Sequence, residues 1–374
     1  MKKITLVVLA LAAAGYLAYT TVDGGAPSAI AKKAKYTGTL YVAGMGGHFT
    51  TAEVEINPSD SQPIVIKNLD RIVIGNKDTH PTHDARIDVN DRTKMYWSTY
   101  KVDKSKEGGK TVHVGVSDLK TGEVIKDVAL NIDDRVKWSG ALYCGSGQSK
   151  SMFIPVMMTG EAYIDVFDKK TLELKHRVFL DEIGYKAGTY MFFHGTNSPD
   201  MKTFAVAINM TTPWEDPSKP GKPIGKIDML LLDLPALEQG KVKVIAKNTL
   251  TGDPDKTKTF REYFSPDGKY LLQSGGDRLY LLDGKTLKLL DEEMMTDGEA
   301  HDAMATPDSN YAILPLRTKI KSTEGKDITD GTVQLYDIKE RKIIGKTSSV
   351  CYDCHKNVGL HGNSILCGLD GNLN

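Results

Sequence analysis

The chain has little cysteine and no excess of either charge. Its 374 residues include only 4 Cys, too few for disulfide bonds to provide the scaffold of the fold. The 48 Lys and Arg balance 48 Asp and Glu, so there is no overall positive field to attract nucleic acid, and no nucleic-acid partner is expected. A hydrophobic content of 40% is too high for a disordered chain. The chain is therefore globular and long enough to bury a large core.

Long apolar runs are missing everywhere except near the start of the chain. There, Lys2-Lys3 precedes an apolar stretch from Ile4 to Tyr19, and Ala29-Ile30-Ala31 has the small-x-small pattern of a cleavage site. Residues 1–31 are predicted to be a signal peptide, which places the mature protein in the periplasm or otherwise outside the cytoplasm. The alternative is an uncleaved membrane anchor, because the cleavage site lies far from the apolar stretch.

Helical periodicity is also missing, and from Tyr36 onward apolar residues alternate with a period of two. A hairpin recurs in which an apolar run ends in a polar residue, followed by a short turn and a second run. Its six copies turn at Asn57, Asp118, Asp168, Asp233, Asp283 and Asp337. Repeats of about 50 residues with about four strands each predict an all-β propeller over residues 36–350. Six hairpins indicate six blades, whereas the chain length divided by the repeat length indicates seven.

A second turn is repeated in the later units, with Ser or Thr followed by Pro and Asp. Its copies are Ser198-Pro199-Asp200, Ser265-Pro266-Asp267 and Thr306-Pro307-Asp308. Followed by an apolar strand and a hairpin such as Asp283-Gly284-Lys285-Thr286-Leu287, this pattern resembles the YVTN-type β-propellers. That group includes the haem-d domain of cytochrome nitrite reductases and the heavy chains of amine dehydrogenases. The resemblance implies the fold, but propellers host many activities.

The C-terminal residues Cys351-Tyr352-Asp353-Cys354-His355 form the C-x-x-C-H signature of covalent haem c attachment. Cys351 and Cys354 would form the thioethers, His355 would bind the iron, and His361 is the candidate second ligand. Residues 351–374 are accordingly predicted to form a haem-attachment segment. They are also expected to close the propeller by pairing a strand near Ile365-Leu366 with residues 38–57.

Two other interpretations of these cysteines remain open. Cys351 and Cys354 could form a disulfide, or Cys351, Cys354, Cys367 and one His could bind zinc. If haem is attached, Cys144 and Cys367 are left over and could pair, although the sequence cannot show the distance between them.

Four histidines precede strands that are predicted to be innermost in their blades: His80, His83, His194 and His301. Equivalent positions of different blades converge at the axis of a propeller, so these residues are candidate ligands of copper or another metal, and His83, His194 and His301 are candidate catalytic residues. The pattern resembles the copper-binding propellers of nitrous oxide reductase and thiocyanate dehydrogenase, but an adjacent His-His pair is missing. The alternative is a set of histidines that bond backbone groups around a water-lined channel.

Other polar residues accompany these histidines. Asp84 and Asp302 directly follow His83 and His301 and could orient their imidazoles, while Arg86 and Arg261 could hold an anion.

Together these patterns predict an exported propeller with one covalent haem c, acting in electron transfer or as an oxidoreductase subunit. Its partners would be a redox protein, other subunits of an exported complex, or a small-molecule substrate. One alternative is a non-catalytic scaffold subunit of such a complex, and another is a copper oxidoreductase that uses the axial histidines. No hydrolase, P-loop, Rossmann or H-E-x-x-H motif is present, so whether the chain is an enzyme stays open.

Overall fold

A computed structural model describes residues 36–136, 142–158, 160–216, 218–321, 325–350 and 366–374. In chain order, the strands of these residues are β1 (Tyr36–Gly44), β2 (His48–Ile56), β3 (Ile64–Val73), β4 (Thr82–Ile87), β5 (Lys94–Thr99), β6 (Thr111–Asp118), β7 (Val124–Asn131), β8 (Tyr143–Gln148), β9 (Met152–Met157), β10 (Tyr163–Asp168), β11 (Leu174–Phe179), β12 (Tyr190–Asn197), β13 (Thr203–Thr211), β14 (Pro223–Asp233), β15 (Val244–Thr251), β16 (Glu262–Phe264), β17 (Tyr270–Ser274), β18 (Arg278–Asp283), β19 (Leu289–Met294), β20 (Glu299–Ala300), β21 (Met304–Ala305), β22 (Tyr311–Lys321), β23 (Asp327–Asp337), β24 (Lys342–Ser349) and β25 (Leu366–Leu373).

The strands of the described residues form six antiparallel sheets, each of which is one blade of a β-propeller. Blades 1 to 4 are β4–β7, β8–β11, β12–β15 and β16–β19, and blade 5 is β20–β24, in which β20 and β21 together take the innermost place. The closing blade has the order β25-β1-β2-β3. The predicted all-β propeller with four-stranded blades is confirmed, with six blades.

The innermost strands of successive blades contact one another all the way round: β4, β8, β12, β16, β21, β25 and back to β4. They therefore surround the propeller axis. Polar residues at the starts of these strands are brought to one end of the axis even when they lie far apart in the sequence.

Apolar side chains fill the space between each pair of neighbouring blades. Ile154 and Val156 of blade 2 pack with Phe204 and Val206 of blade 3, and corresponding clusters join the other pairs of blades. Inner and middle strands are buried on both faces because a blade lies on each side of them. Exposed and covered residues alternate clearly only on outer strands such as β7.

The two repeated turns have the local chemistry that their residues suggest. The Asp118 carboxylate at the end of β6 accepts hydrogen bonds from the backbone of Lys120 and Thr121, both at 2.8 Å. Ser265 between β16 and β17 bonds the Asp267 carboxylate at 2.7 Å and accepts from the Tyr270 backbone at 3.0 Å. These bonds satisfy backbone groups within each turn, so short polar residues can specify it locally.

The two ends of the propeller sequence meet in the closing blade. β25 pairs with β1 from Gly38 opposite Leu373 to Gly44 opposite Leu366, as the expected strand pairing requires. The innermost strand of this blade thus comes from the C-terminal part of the chain. The pairing covers the edge of β1 that would otherwise be free.

Helices contribute little to the described residues. They comprise one short α-helix, α1 (Leu234–Leu237), capped by the Asp233 carboxylate, and 3-10 turns at Glu107–Gly109 and Leu180–Ile183. None of the helices in these ranges is long and apolar enough to cross a membrane.

Candidate functional site at the propeller axis

Polar side chains from several blades gather where the innermost strands begin. His83 lies on β4, Cys144 on β8 and His194 on β12, while Arg261 directly precedes β16 and His301 follows β20. All five are buried. With Arg317 of β22, they form what we call the axial cluster. The structure therefore brings together three of the four histidines that the sequence suggested for the axis.

Direct contacts join these residues across the blades. His83 Nδ1 lies 2.7 Å from Cys144 Sγ, and Arg261 Nη2 lies 3.4 Å from the same sulfur. Arg317 Nη2 lies 3.5 Å from His83 Nε2, and the Arg261 backbone N–H donates to the His301 carbonyl at 3.2 Å. The Phe260 ring lies 3.8 Å from the His301 ring and 6.2 Å from the His194 ring, measured between centroids, and connects these two histidines.

Burial keeps the central thiol and imidazole uncharged. It raises the pKa of the Cys144 thiol to about 11. Burial, followed by the charges of Arg261 and Arg317, holds the pKa of His83 well below its ordinary value. The pair is thus a neutral thiol beside a neutral imidazole, not the thiolate and imidazolium of an activated cysteine nucleophile.

His301 is neutral for a similar reason. Its Nε2 atom lies 2.9 Å from a carboxylate oxygen of Glu299, which favours the charged imidazolium. Burial and the guanidinium of Arg317 outweigh this carboxylate and lower the pKa of His301 to about 3. His301 therefore stays uncharged near neutral pH, where its imidazole can take part in hydrogen bonds without a positive charge.

The aspartates beside the two histidines bind arginines and backbone groups. Arg261 Nε donates to Asp84 at 2.9 Å, and Arg86 Nη1 lies 3.5 Å from Asp302, which also accepts from the Leu369 backbone at 2.9 Å. Burial raises the pKa of Asp302 to about 6 although Arg86 and Arg261 oppose the shift. In these contacts Asp84 and Asp302 bind arginine and backbone groups, not the imidazoles that the sequence suggested.

Several buried polar groups beside these arginines have no hydrogen-bond partner among the described residues. They are both ring nitrogens of His194, Nη1 of Arg261 and both carboxylate oxygens of Glu262. Burial raises the pKa of Glu262 well above its ordinary value, so this group is a neutral acid. Since buried polar atoms are nearly always bonded, a small polar molecule here would meet a donor, an acceptor and an acid.

The axial cluster has donor atoms suited to a metal but also charges that oppose one. His83, His194, His301 and Cys144 are common ligand types. However, guanidiniums lie 3.4 Å from the Cys144 sulfur and 3.5 Å from a His83 nitrogen, and they repel a cation. In the described ranges, one group of three His, Cys, Asp or Glu brings ligand atoms within 4.8 Å of one another, and it contains none of these residues.

That group is His80, His113 and Asp127, so the fourth predicted histidine belongs elsewhere. His80 Nε2 lies 3.0 Å from the Asp127 carboxylate, and its ring contacts His113 and Trp97. Its sequence position two residues before β4 suggested the axis. The turn that carries His80 instead directs its side chain to the outer strands of blade 1.

A pocket of about 400 Å³ opens between the other ends of the innermost strands. It is lined by Ile87, Gln148, Asn197 and Phe264, which end β4, β8, β12 and β16. Arg86, Arg92 and Lys150 give the lining a positive character, with Asp370 as an opposing acid. Arg86 also contacts Asp302, so it connects this pocket with the residues around the axial cluster.

The predicted haem-attachment motif and His361 lie outside the described residues, as do the predicted signal peptide and its cleavage site. The residues that flank the motif are described. Val350 follows β24 on the outside of blade 5, and Leu366 begins β25 at the axis. A Cβ added to Gly368 would lie 3.2 Å from the His83 carbonyl oxygen, which shows that the start of β25 packs against the axial cluster.

The structure also shows features that the sequence interpretation did not foresee. The sequence suggests Cys144 only as a partner of Cys367. In the structure Cys144 is a free thiol beside His83, while the Cys367 side chain lies outside the described residues. Arg317 and Glu299 join the cluster from blade 5. Aligning the innermost strands would have found Cys144, because it occupies the start of β8 as His83 occupies the start of β4.

Comparisons with known proteins identify the fold and no family. No protein-family model matches the chain, and no curated protein matches it. A chain of a nidogen/laminin complex is similar in structure, with a TM-score of 0.52 and 11% identity, over 90% of this chain and 98% of that one. At this identity the similarity extends to the fold alone.

Two other solved structures are similar to this chain with lower TM-scores. A chain of hydrazine synthase from Kuenenia stuttgartiensis has a TM-score of 0.44 and 13% identity, over 70% of this chain and 64% of that one. The WD40 domain of Pan2 from Neurospora crassa has a TM-score of 0.45 and 12% identity, over 71% and 65% of the two chains. Neither similarity bears on what this chain binds or does.

Proposed function

We propose that this chain is an exported redox protein in which a six-bladed propeller carries one covalent haem c. Cys351 and Cys354 would attach the haem and His355 would bind its iron, with His361 as the candidate second ligand. The observation that carries the proposal is the C-x-x-C-H motif itself, in a chain whose start has the pattern of a signal peptide. Haem c is attached outside the cytoplasm, so the motif and the predicted export are consistent with each other.

The described residues on either side of the motif connect it in sequence to the axial cluster. The chain must pass from Val350 at the outside of blade 5 to Leu366 at the axis, and residues 351–365 make this connection. Gly368 then packs at His83 and Asp84. A haem attached within this connection would therefore be bound close in sequence to a strand that contacts the axial cluster.

The haem would supply one-electron redox chemistry, and the chain's own residues would bind the polar groups of a substrate. His83 and His301 are neutral imidazoles, and Glu262 is a neutral acid whose oxygens have no partner in the described residues. The free Nη1 group of Arg261 can donate to an anion or to a polar substrate atom. These groups suit the binding of a small polar substrate for oxidoreduction, and electron exchange with a partner protein requires none of them.

Intact mass and the visible spectrum test this proposal. The protein is purified from a host with c-type cytochrome maturation. We expect the added mass of one haem, an α-band after reduction, and loss of residues 1–31. A mass without haem would overturn the haem assignment, and a mass that also lacks four hydrogens would favour the disulfide-bonded scaffold.

A double variant, Cys351→Ala with Cys354→Ala, tests which cysteines attach the haem. We expect no covalent haem and an unchanged β-sheet circular dichroism spectrum, because the described propeller strands lie outside residues 351–365. Cys144→Ser is the matched control, since this free thiol lies outside the motif, and it should keep the haem. Covalent haem in the double variant would contradict the assignment.

A further inference from the structure

A second cluster of histidines and carboxylates lies on the outer strands of blade 1. His113 is on β6 and Asp127 on β7, where His113 is opposite Ala129 and Asp127 is opposite Gly115. The two side chains are therefore diagonal neighbours on one face of the sheet, within reach of each other. His113 Nδ1 lies 2.9 Å from one oxygen of Asp127.

His80 reaches the same carboxylate from the turn that precedes β4. Its backbone N–H bonds the Asn76 carbonyl at 2.8 Å, which forms the turn, and its Nε2 lies 3.0 Å from the second oxygen of Asp127. Thr79 Oγ1 lies 2.8 Å from Nδ1. A Cβ on residue Gly75 would lie 2.2 Å from Nδ1, so the imidazole packs directly on the glycine backbone.

Asp103 supports the site from the loop between β5 and β6. Its carboxylate lies 3.0 Å from His113 Nε2 and accepts from the Ser105 backbone at 2.8 Å. A carboxylate that bonds the outer nitrogen of a histidine fixes its ring and makes the other nitrogen a better ligand. The arrangement leaves His113 Nδ1 directed at Asp127 and its Nε2 at Asp103.

We propose that His80 Nε2, His113 Nδ1 and the Asp127 carboxylate bind one divalent transition-metal ion, with Zn²⁺ as the ion that best fits the ligands. Ligand atoms of the three residues lie within 4.8 Å of one another. Two imidazoles and one carboxylate are a common three-residue ligand set, and a fourth position would be taken by water. Asp127 is 32% exposed, so solvent reaches this position, whereas His113 is 7% exposed.

The charges agree with a divalent cation. Asp127 and Asp103 are the two acids of the cluster, and an imidazole that binds a metal ion through a ring nitrogen does so in its uncharged form. A divalent ion would therefore neutralise the site, in contrast to the axial cluster, where guanidiniums face the donor atoms.

The ion would join parts of the fold that the chain connects only through a turn. His80 belongs to the connection from β3 of the closing blade to β4 of blade 1, and His113 and Asp127 belong to outer strands of blade 1. Metal binding would thus hold the junction next to the closing blade. Because the ion binds the folded chain, it would also raise the unfolding temperature.

Zinc titration of the metal-depleted, haem-loaded full chain tests the proposal. We expect one Zn²⁺ per chain by calorimetry and by elemental analysis, and an increase in the unfolding temperature. Asp127→Asn and His113→Gln should each weaken binding at least tenfold, and Asp103→Asn should weaken it about 10- to 100-fold at the same stoichiometry. His176→Gln on β11 is the matched control and should bind as the wild type does.

Cobalt distinguishes this site from the cysteines near the C terminus. Co²⁺ bound by nitrogen and oxygen has visible absorption without the intense near-ultraviolet band that thiolate ligands give. The Cys351→Ala, Cys354→Ala variant should keep the site, so the result is independent of haem attachment.

No Zn²⁺ binding by the wild type, or unchanged binding in both Asp127→Asn and the more buried His113→Gln, would overturn the proposal. If His113→Gln fails to fold, Asp127→Asn decides, because its side chain is partly exposed.

Discussion

Acid should destabilise this protein through its buried axial histidines, and the replacement His301→Gln should remove a measurable part of that effect. His301 is fully buried, and burial together with Arg317 lowers its pKa to about 3. In the unfolded chain a histidine titrates near its ordinary pKa of about 6.5. Below that pH the unfolded chain binds a proton that the folded chain does not, so the contribution of His301 to stability is lost as the pH falls.

The size of the effect follows from the difference between the two pKa values. Each pH unit below about 6.5 costs about 1.4 kcal/mol while only the unfolded chain is protonated. Between about pH 6.5 and about pH 5 the cost for this one residue is therefore ~2 kcal/mol. The pKa of Asp302 is raised to about 6, so its contribution to stability increases as the pH falls. Asp302 is present in the wild type and in His301→Gln, so this contribution cancels when the two are compared.

Denaturant unfolding of wild type and His301→Gln at about pH 7.5 and about pH 5 measures the difference. Glutamine can still donate to Glu299, and the measurement at the higher pH gives the packing cost of the replacement. We expect the free energy of unfolding to fall by ~2 kcal/mol less in the variant than in the wild type. An equal fall in the two proteins would refute the inference that His301 is buried and neutral.

Two further predictions concern the packing of the blades. Gly115→Ala should reduce the free energy of unfolding by about 1–3 kcal/mol, because the added Cβ would lie 2.2 Å from the buried Trp97 ring; a denaturant midpoint equal to that of the wild type would contradict this. Leu369→Ala should cost about 2–5 kcal/mol, because this fully buried side chain joins β25 to the core between blade 5 and the closing blade. A loss below about 0.5 kcal/mol in thermal or chemical unfolding would show that the closing strand contributes little.

The axial cluster places neutral imidazoles and a neutral thiol beside guanidinium groups. Arg261 links Asp84 to the Cys144 thiol, and Phe260 beside it links His194 to His301. These contacts hold neutral imidazoles near fixed positive charges. Such a site favours the binding of anions or polar molecules over the binding of a cation.

The repeated turns could be predicted from the sequence because their hydrogen bonds join residues a few positions apart. Asp118, Asp168 and Asp283 each accept from backbone groups two and three residues later, and this local chemistry marked the outer hairpin of each blade. Counting these hairpins predicted six blades correctly. Dividing the chain length by the repeat length was wrong because some units are longer than 50 residues, notably blade 3, whose turn residue Asp233 follows Asp168 by 65 residues.

Alternating polarity and turn residues by themselves determined that this chain forms a β-propeller and roughly where each blade begins, since both depend on neighbouring residues. Only the tertiary structure decided which side chains meet. The contact of His83 with Cys144 spans 61 residues and that of Arg261 with Asp84 spans 177, and both depend on how the innermost strands close around the axis. His80 and His83 are three residues apart but belong to different clusters, because a turn directs one to the outer strands and the other to the axis. The protonation states were likewise decided by burial, which a linear sequence does not contain.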